Sequence, residues 1–129
     1  MRVTTTMSTS LPLILLSMLL GVGGQLTLKI GMMQVGRIDA AALTAPIQIA
    51  ARVLATPMVL AGLGLYVVGA AVWLTVLSRM PLSLAYPVLA VTYVVTPIVS
   101  WLVLGESIPS ARWVGLATIC LGVLIVSRT

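Results

Sequence analysis

Hydrophobic positions in this chain fall into four long runs, approximately residues 11–33, 57–77, 81–104 and 111–126, separated by shorter and more polar stretches. Each run is long and apolar enough to cross a hydrocarbon core of about 30 Å, which takes around 20 residues of helix. Backbone groups left unpaired in lipid cost several kcal/mol apiece, so every crossing must be helical. The pattern predicts an all-α integral membrane protein with four transmembrane helices in a bundle, forming a single domain over residues 1–129. Between the first two spans, residues 34–56 open with "QVGRIDAAALTAPIQIAAR", which is too polar to insert fully and too apolar for a free linker. It reads as an interfacial segment with a short helix after Pro46. The remaining links, "SRM" at 78–80 and "GESIPS" at 105–110, leave no room for a soluble domain, so function must come from the bundle. The first run is long for the core of a signal peptide and three more follow it, so it is expected to stay uncleaved.

Composition strengthens this picture. Hydrophobic side chains make up 60% of the 129 residues and charged ones 7%, and mean hydropathy is +1.23; in water-soluble domains about a quarter of residues are charged. A net charge of +5 would suggest nucleic acid in a soluble protein. Here the seven Lys and Arg residues stand singly and form no basic patch, so they read as helix-end anchors and topology signals and no nucleic-acid partner is expected. With no His, a lone Cys120 and only Asp39 and Glu106 as acids, no disulfide, metal site, cofactor or catalytic centre is expected.

The cations also bear on orientation. Arg2, Arg79 and Arg128 fall on one side of the membrane, and Lys29, Arg37, Arg52 and Arg112 on the other. Three against four gives no bias of the kind that fixes topology. That balance leaves open insertion in both orientations or a partner that settles it, and either points to assembly with an antiparallel neighbour. In the fourth run, "GLATICLG" sets Gly115 and Gly122 seven residues apart, within about 20° of each other on a helix, with Thr118 extending the stripe. Small residues let helices approach closely in lipid, so Gly115, Thr118 and Gly122 are the candidate dimer interface; packing within the monomer is the alternative.

Candidate binding residues lie on the other three spans. Pro87 and Pro97 deprive Ser83 and Tyr93 of their helical partners, so the third span should bend, and broken helices at membrane depth line protein or a wet cavity. Tyr86, Ala90, Tyr93, Pro97 and Ser100 follow 3- and 4-residue spacings and are expected on one face, a candidate cavity wall. Tyr86 also suits an interfacial anchor, whereas Tyr93 stands near mid-span. Tyr66, beside the small-residue strip Gly62, Gly64, Gly69 and Ala70 of the second span, fits a site or internal packing equally. Trp101 and Trp113 flank the "GESIPS" turn as an aromatic belt would.

The first span carries "GVGGQLTLKIGM" at 21–32, whose Gly21, Gln25 and Lys29 are spaced by four and share a stripe about 80° wide. Lys29 lies about seven residues, or roughly 10 Å, from the centre of the span. Its stem can reach the hydrocarbon edge, so snorkelling accounts for it as well as a cavity does. Gln25 is deeper and needs a partner for its amide. The pair suggests a polar cavity with a cation at its rim, suited to a phosphate or carboxylate.

On "GQLTLK", "LSRMPLSLAYPVLAVTYVV" and "LVLGESIPSARWVGLATICLGVLIV" the chain resembles the small four-helix members of the drug/metabolite transporter superfamily, which includes the small multidrug resistance proteins. Within it the chain is most similar to the small subunits of the flippase for aminoarabinose linked to undecaprenyl phosphate. The likeness rests on Gly24, Gln25 and Lys29 in a GQ-x-x-x-K pattern, on Trp73 and Leu77, on Pro81, Ala85, Tyr86 and Pro87, and on the turn at Leu104, Gly105 and Glu106. The multidrug exporters carry an embedded glutamate in the first helix that exchanges protons for cations; aligned on "TLK", that position here is Gly21. An embedded acid is the means of attracting a cation and releasing it on protonation, so its absence departs from the exporters.

The resemblance implies a non-enzymatic flippase subunit of the cytoplasmic (inner) membrane, acting on a polyprenyl-phosphate-linked aminosugar. The expected partners are that lipid, surrounding membrane lipids and a similar four-helix subunit, in a homodimer or heterodimer. Expected substrate-binding residues are Lys29 at the phosphate, Gln25, Tyr66, Tyr86 and Tyr93 along the headgroup path, and Glu106. For Glu106 the sequence leaves open a capping role at its turn or pairing with Lys29, Arg112 or a sugar amine. Two alternative functions stand beside this: a small-cation exporter whose partner supplies the missing carboxylate, and a non-transport assembly subunit of a membrane enzyme.

Overall fold

The structure, a computed structural model, describes the backbone of residues 2–129 and the side chains of residues 8–129; the Arg2 side chain, one of the topology cations, lies outside these. Helix α1 (Arg2–Val35) is followed by a single 3-10 turn (Ala42–Thr44), then α2 (Pro46–Ala55), α3 (Pro57–Leu77), α4 (Leu82–Leu89), α5 (Thr92–Leu104) and α6 (Ser110–Ser127). No strand occurs among the described residues. Four helical stretches are long and apolar enough to cross a membrane: Ser8–Val35, Pro57–Leu77, Leu82–Leu104 and Ser110–Ser127. The chain is therefore a multi-pass, all-helical membrane protein.

Local chemistry sets the boundaries. Gly36 at φ +95 ends α1, its N–H bonded to the Met32 carbonyl at 3.0 Å, and Gly105 at φ +69 ends α5. Both adopt the left-handed conformation that glycine takes without a Cβ clash. Pro46 and Pro57 each open a helix, where a missing N–H costs nothing. The residues before them, Ala45 (ψ 67) and Thr56 (ψ 116), are pushed out of the helical region by the proline rings, which separates α2 from α3.

The first and second spans form the tightest contact in the bundle, and glycine makes it possible. A Cβ added at Gly62 would stand 2.8 Å from the Leu28 backbone nitrogen, and one at Gly31 2.8 Å from that of Val59. Gly24 and Gly69 face the opposing helix at ordinary to tight distances, and the Ser17 hydroxyl donates to the Gly69 carbonyl at 3.4 Å. This is close approach of helix backbones through small residues, which replaces hydrophobic burial as the source of association in lipid. Of the strip in the second span, Gly62 and Gly69 pack internally while Gly64 faces open space. Beyond this contact, Ile14, Met18, Val76, Met80 and Ala85 form a buried cluster against Trp73, Leu84 and Val88.

The third span departs from expectation in the place of its break. Pro87 and Pro97 remain inside α4 and α5, and the helix is interrupted between them, at Ala90 and Val91. There the backbone tightens to i→i−3 bonds: Val91 to Val88 at 3.2 Å and Tyr93 to Ala90 at 3.0 Å. Each proline removes a donor and crowds the carbonyl four residues before it, Ser83 for Pro87 and Tyr93 for Pro97, and the interruption falls between the two affected stretches. Trp101 and Trp113 pack edge to face, 5.9 Å between ring centres, tying α5 to α6 across their turn.

Candidate functional site

A groove with mixed polar and apolar walls, Val22, Leu26, Val99 and Leu104 among the apolar ones, runs between α1, α3 and the broken third span, in two adjoining chambers. The outer chamber, about 280 Å³, is lined by Gln25 and Lys29 of α1, Thr96 and Ser100 of α5, and Glu106 from the following turn. The inner chamber, about 320 Å³, takes Ser17, Gly21 and Gln25 from α1, Tyr66 and Trp73 from α3, Tyr86 from α4, and Thr92, Tyr93 and Thr96 from α5. Val22, Gln25 and Thr96 line both chambers. Measured along the third span, from Tyr86 to Ser100, the lining covers about 21 Å of helix rise, some two-thirds of a hydrocarbon core.

The 4-residue stripe on α1 explains the near wall. Gly21, Gln25 and Lys29 all open onto the groove, Gln25 at the junction of the chambers. The Gln25 side chain is exposed, with its amide free to meet a ligand or water. At the outer end Lys29 Nζ lies 3.9 Å from Glu106 Oε1, with both side chains about half exposed (56% and 49%). The Ser100 hydroxyl donates a short hydrogen bond to the other Glu106 oxygen. Of the alternatives open for Glu106, the structure thus shows pairing with Lys29. The turn after α5 is held to α1 by this pair.

The far wall follows a slightly different face from the expected one. Tyr86, Tyr93 and Ser100 open onto the groove, but Leu89 and Thr96 stand between them in place of Ala90 and Pro97. The i→i−3 bonds around Ala90 and Val91 wind the chain by about 120° per residue, against 100° in an α-helix, which changes the phase across the break. Leu89, Thr92 and Tyr93 surround that break, so the irregular backbone lies where it borders a cavity. Tyr66 and Trp73, nearly two turns apart on α3, complete the inner chamber, and Trp73 meets Tyr86 edge to face at 6.1 Å. Thr92 and Thr96 also line the groove, although threonine inside an apolar run does not stand out in the sequence. Their 4-residue spacing with Ser100 was the available signal.

Gly115, Thr118 and Gly122 lie away from the groove. They are exposed on α6, which turns Leu116, Ile119 and Val123 inward. A Cβ at Gly115 or Gly122 would meet nothing within 4 Å, and the Thr118 hydroxyl donates to the Val114 carbonyl of its own helix.

Comparison with known proteins gives a consistent set of relatives. The chain is 42% identical over 76 residues to the probable 4-amino-4-deoxy-L-arabinose-phosphoundecaprenol flippase subunit ArnE of Serratia proteamaculans, covering 59% of this chain and 62% of that one. It is 37% identical over 67 residues to the protein of the same name from Salmonella typhimurium, covering 50% of this chain and 60% of the relative. The matched region thus spans about three-fifths of the length of these curated relatives. No family model matches the chain, and no solved structure matches it.

Proposed function

We propose that this chain is a subunit of a membrane flippase that carries a polyprenyl-phosphate-linked sugar across the cytoplasmic membrane, the cargo being an aminosugar of the kind named in its relatives. Lys29 holds the phosphate, Gln25 and the tyrosines line the path of the headgroup, and the prenyl tail stays in lipid. The observation that supports this most is a cation at one end of a groove whose helical walls carry no carboxylate among the described residues; Glu106, in the turn, is the one acid among the described residues lining it. A cation exporter needs the opposite arrangement, an acid embedded at depth.

Glu106 lies within ion-pair distance of Lys29, so the ammonium has a compensating charge beside it. An arriving phosphate diester offers Lys29 a competing anion, and Glu106 is then free to meet a positively charged amine on the sugar. Assembly uses the outward stripe Gly115, Thr118 and Gly122 on α6, against a second copy or a similar four-helix subunit. This is supported by how little the third and fourth spans bury within the chain, 0% and 6% of their most apolar windows.

Mass spectrometry of lipids that co-purify with the complex from its native membrane tests the reading. A polyprenyl-phosphate sugar is expected with the wild-type chain and is expected to be lost from Lys29→Gln. Equal retention by both would reject Lys29 as the phosphate ligand.

A further inference from the structure

The inner chamber has a composition that phosphate binding does not explain. The chain contains no Phe, three Tyr and three Trp, and all three tyrosines together with Trp73 line this one space. They arrive from three helices, Tyr66 and Trp73 from α3, Tyr86 from α4 and Tyr93 from α5. None of the tyrosines is a core filler: Tyr66, Tyr86 and Tyr93 are 49%, 56% and 69% exposed. Trp73 and Tyr86 stand at 74° to one another, so they present a ring face and a ring edge to their surroundings. Thr92, Thr96 and Gln25 add hydroxyl and amide groups among the rings. At 320 Å³ the space lies at the lower end of small-molecule sites, which run from roughly 300 to 1,000 Å³.

Rings interleaved with hydrogen-bonding groups match a molecule that is apolar on its faces and hydroxylated at its edges. A pyranose has that character: its C–H faces lie against aromatic rings, while its hydroxyls meet Tyr, Thr and Gln side chains. A prenyl tail would leave the Gln25 amide and the tyrosine hydroxyls without partners in an apolar setting, at a cost of a few kcal/mol each; the Thr92 hydroxyl already donates to the Leu89 carbonyl at 2.7 Å. Gln25 and Lys29 are four residues apart, about 6 Å along the helix axis, which suits a ring and a phosphate joined through a single oxygen.

We propose that the inner chamber is a carbohydrate subsite, in which a sugar ring stacks on Tyr93 and the Trp73–Tyr86 pair while its 1-phosphate rests on Lys29 in the outer chamber. The assignment rests on the headgroup path given above and adds an orientation to it: sugar at mid-membrane, phosphate toward the Lys29 end, Gln25 at the joint.

Trp73 serves as the reporter. In the full chain carrying Trp101→Phe and Trp113→Phe it is the one indole left, and its emission is followed while an aldopentose 1-phosphate or inorganic phosphate is added to the complex in nanodiscs. The sugar phosphate is expected to shift Trp73 emission and to bind about tenfold more tightly than inorganic phosphate. Tyr93→Leu should remove that advantage and Tyr93→Phe should keep most of it. Lys29→Gln should weaken both ligands. Equal affinity for the two ligands, or an advantage that survives Tyr93→Leu, overturns the carbohydrate subsite while leaving Lys29-dependent phosphate binding in place. Binding indifferent to Lys29 instead strikes the headgroup path itself. A response of Trp73 to tetramethylammonium at lower concentration than to the sugar phosphate would make the chamber a cation box and also overturn the proposal.

Discussion

Gly21 stands where the resemblance to the small multidrug exporters would put an acid, and the structure gives it room. It lines the inner chamber, and a Cβ built there meets nothing within 4 Å. Replacing a helical glycine with a side chain that has space also removes backbone entropy from the unfolded chain. Gly21→Glu is therefore expected to fold as stably as wild type and to create an embedded carboxylate near Tyr66 and Tyr93. Binding of a lipophilic cation such as tetraphenylphosphonium should appear in this variant and fade as pH falls and the acid protonates. Binding no stronger than wild type, in a folded variant, would mean that Gly21 is closed off from the groove. Lys29 and Gln25 were legible in the sequence for the same reason that makes Gly21 testable: polarity inside an apolar run has no lipid-facing explanation at Gln25's depth. The partner of Lys29 was not decided there, because the ion pair joins α1 to a turn 77 residues later and local spacing carries no information about it.

Among the elements, the contact between α1 and α3 organises the site. It sets the stripe of Gln25 and Lys29 opposite α5, while Tyr66 and Trp73 flank it. Gly62→Ala would force a methyl to within 2.8 Å of the Leu28 backbone nitrogen, and backbone cannot move aside as a flexible side chain can. Overpacking of this kind costs about 1–3 kcal/mol. Thermal unfolding in detergent should show a clear loss of stability for Gly62→Ala, while Gly64→Ala, which meets nothing within 4 Å, should be neutral or slightly stabilising. Equal stability of both would place the helices farther apart than described. The strip on α3 was visible in the sequence, but its matching glycines on α1 were absorbed into the polar motif around them. The break in the third span was legible as a tendency from Pro87 and Pro97; its location at Ala90 and Val91, and the rotated face that brings in Thr96, depend on how two constraints are shared between neighbouring turns.

At the scale of the whole molecule, four membrane-spanning stretches leave a groove open along one side. Apolar patterning read the membrane class and the number of helices directly, since lipid as solvent permits few alternatives. What lies against α6 is not written in one chain's periodicity. We propose a subunit contact there. Gly115→Leu and Gly122→Leu, which project into open space in the monomer, should leave its folding intact and shift cross-linked or native-mass dimers toward monomer. Undiminished dimerisation would move the interface to another face.

The proposed action of Lys29 is on a phosphate lipid during its passage. Its most direct test is the flipping rate of a polyprenyl-phosphate sugar in proteoliposomes carrying the complete complex, read by the exposure of the headgroup to a reagent that does not cross the membrane. Lys29→Gln is expected to slow it by tenfold or more, equivalent to at least about 1.4 kcal/mol in the barrier, with Lys29→Arg retaining most of the rate. Transport by Lys29→Gln at the wild-type rate would contradict the account.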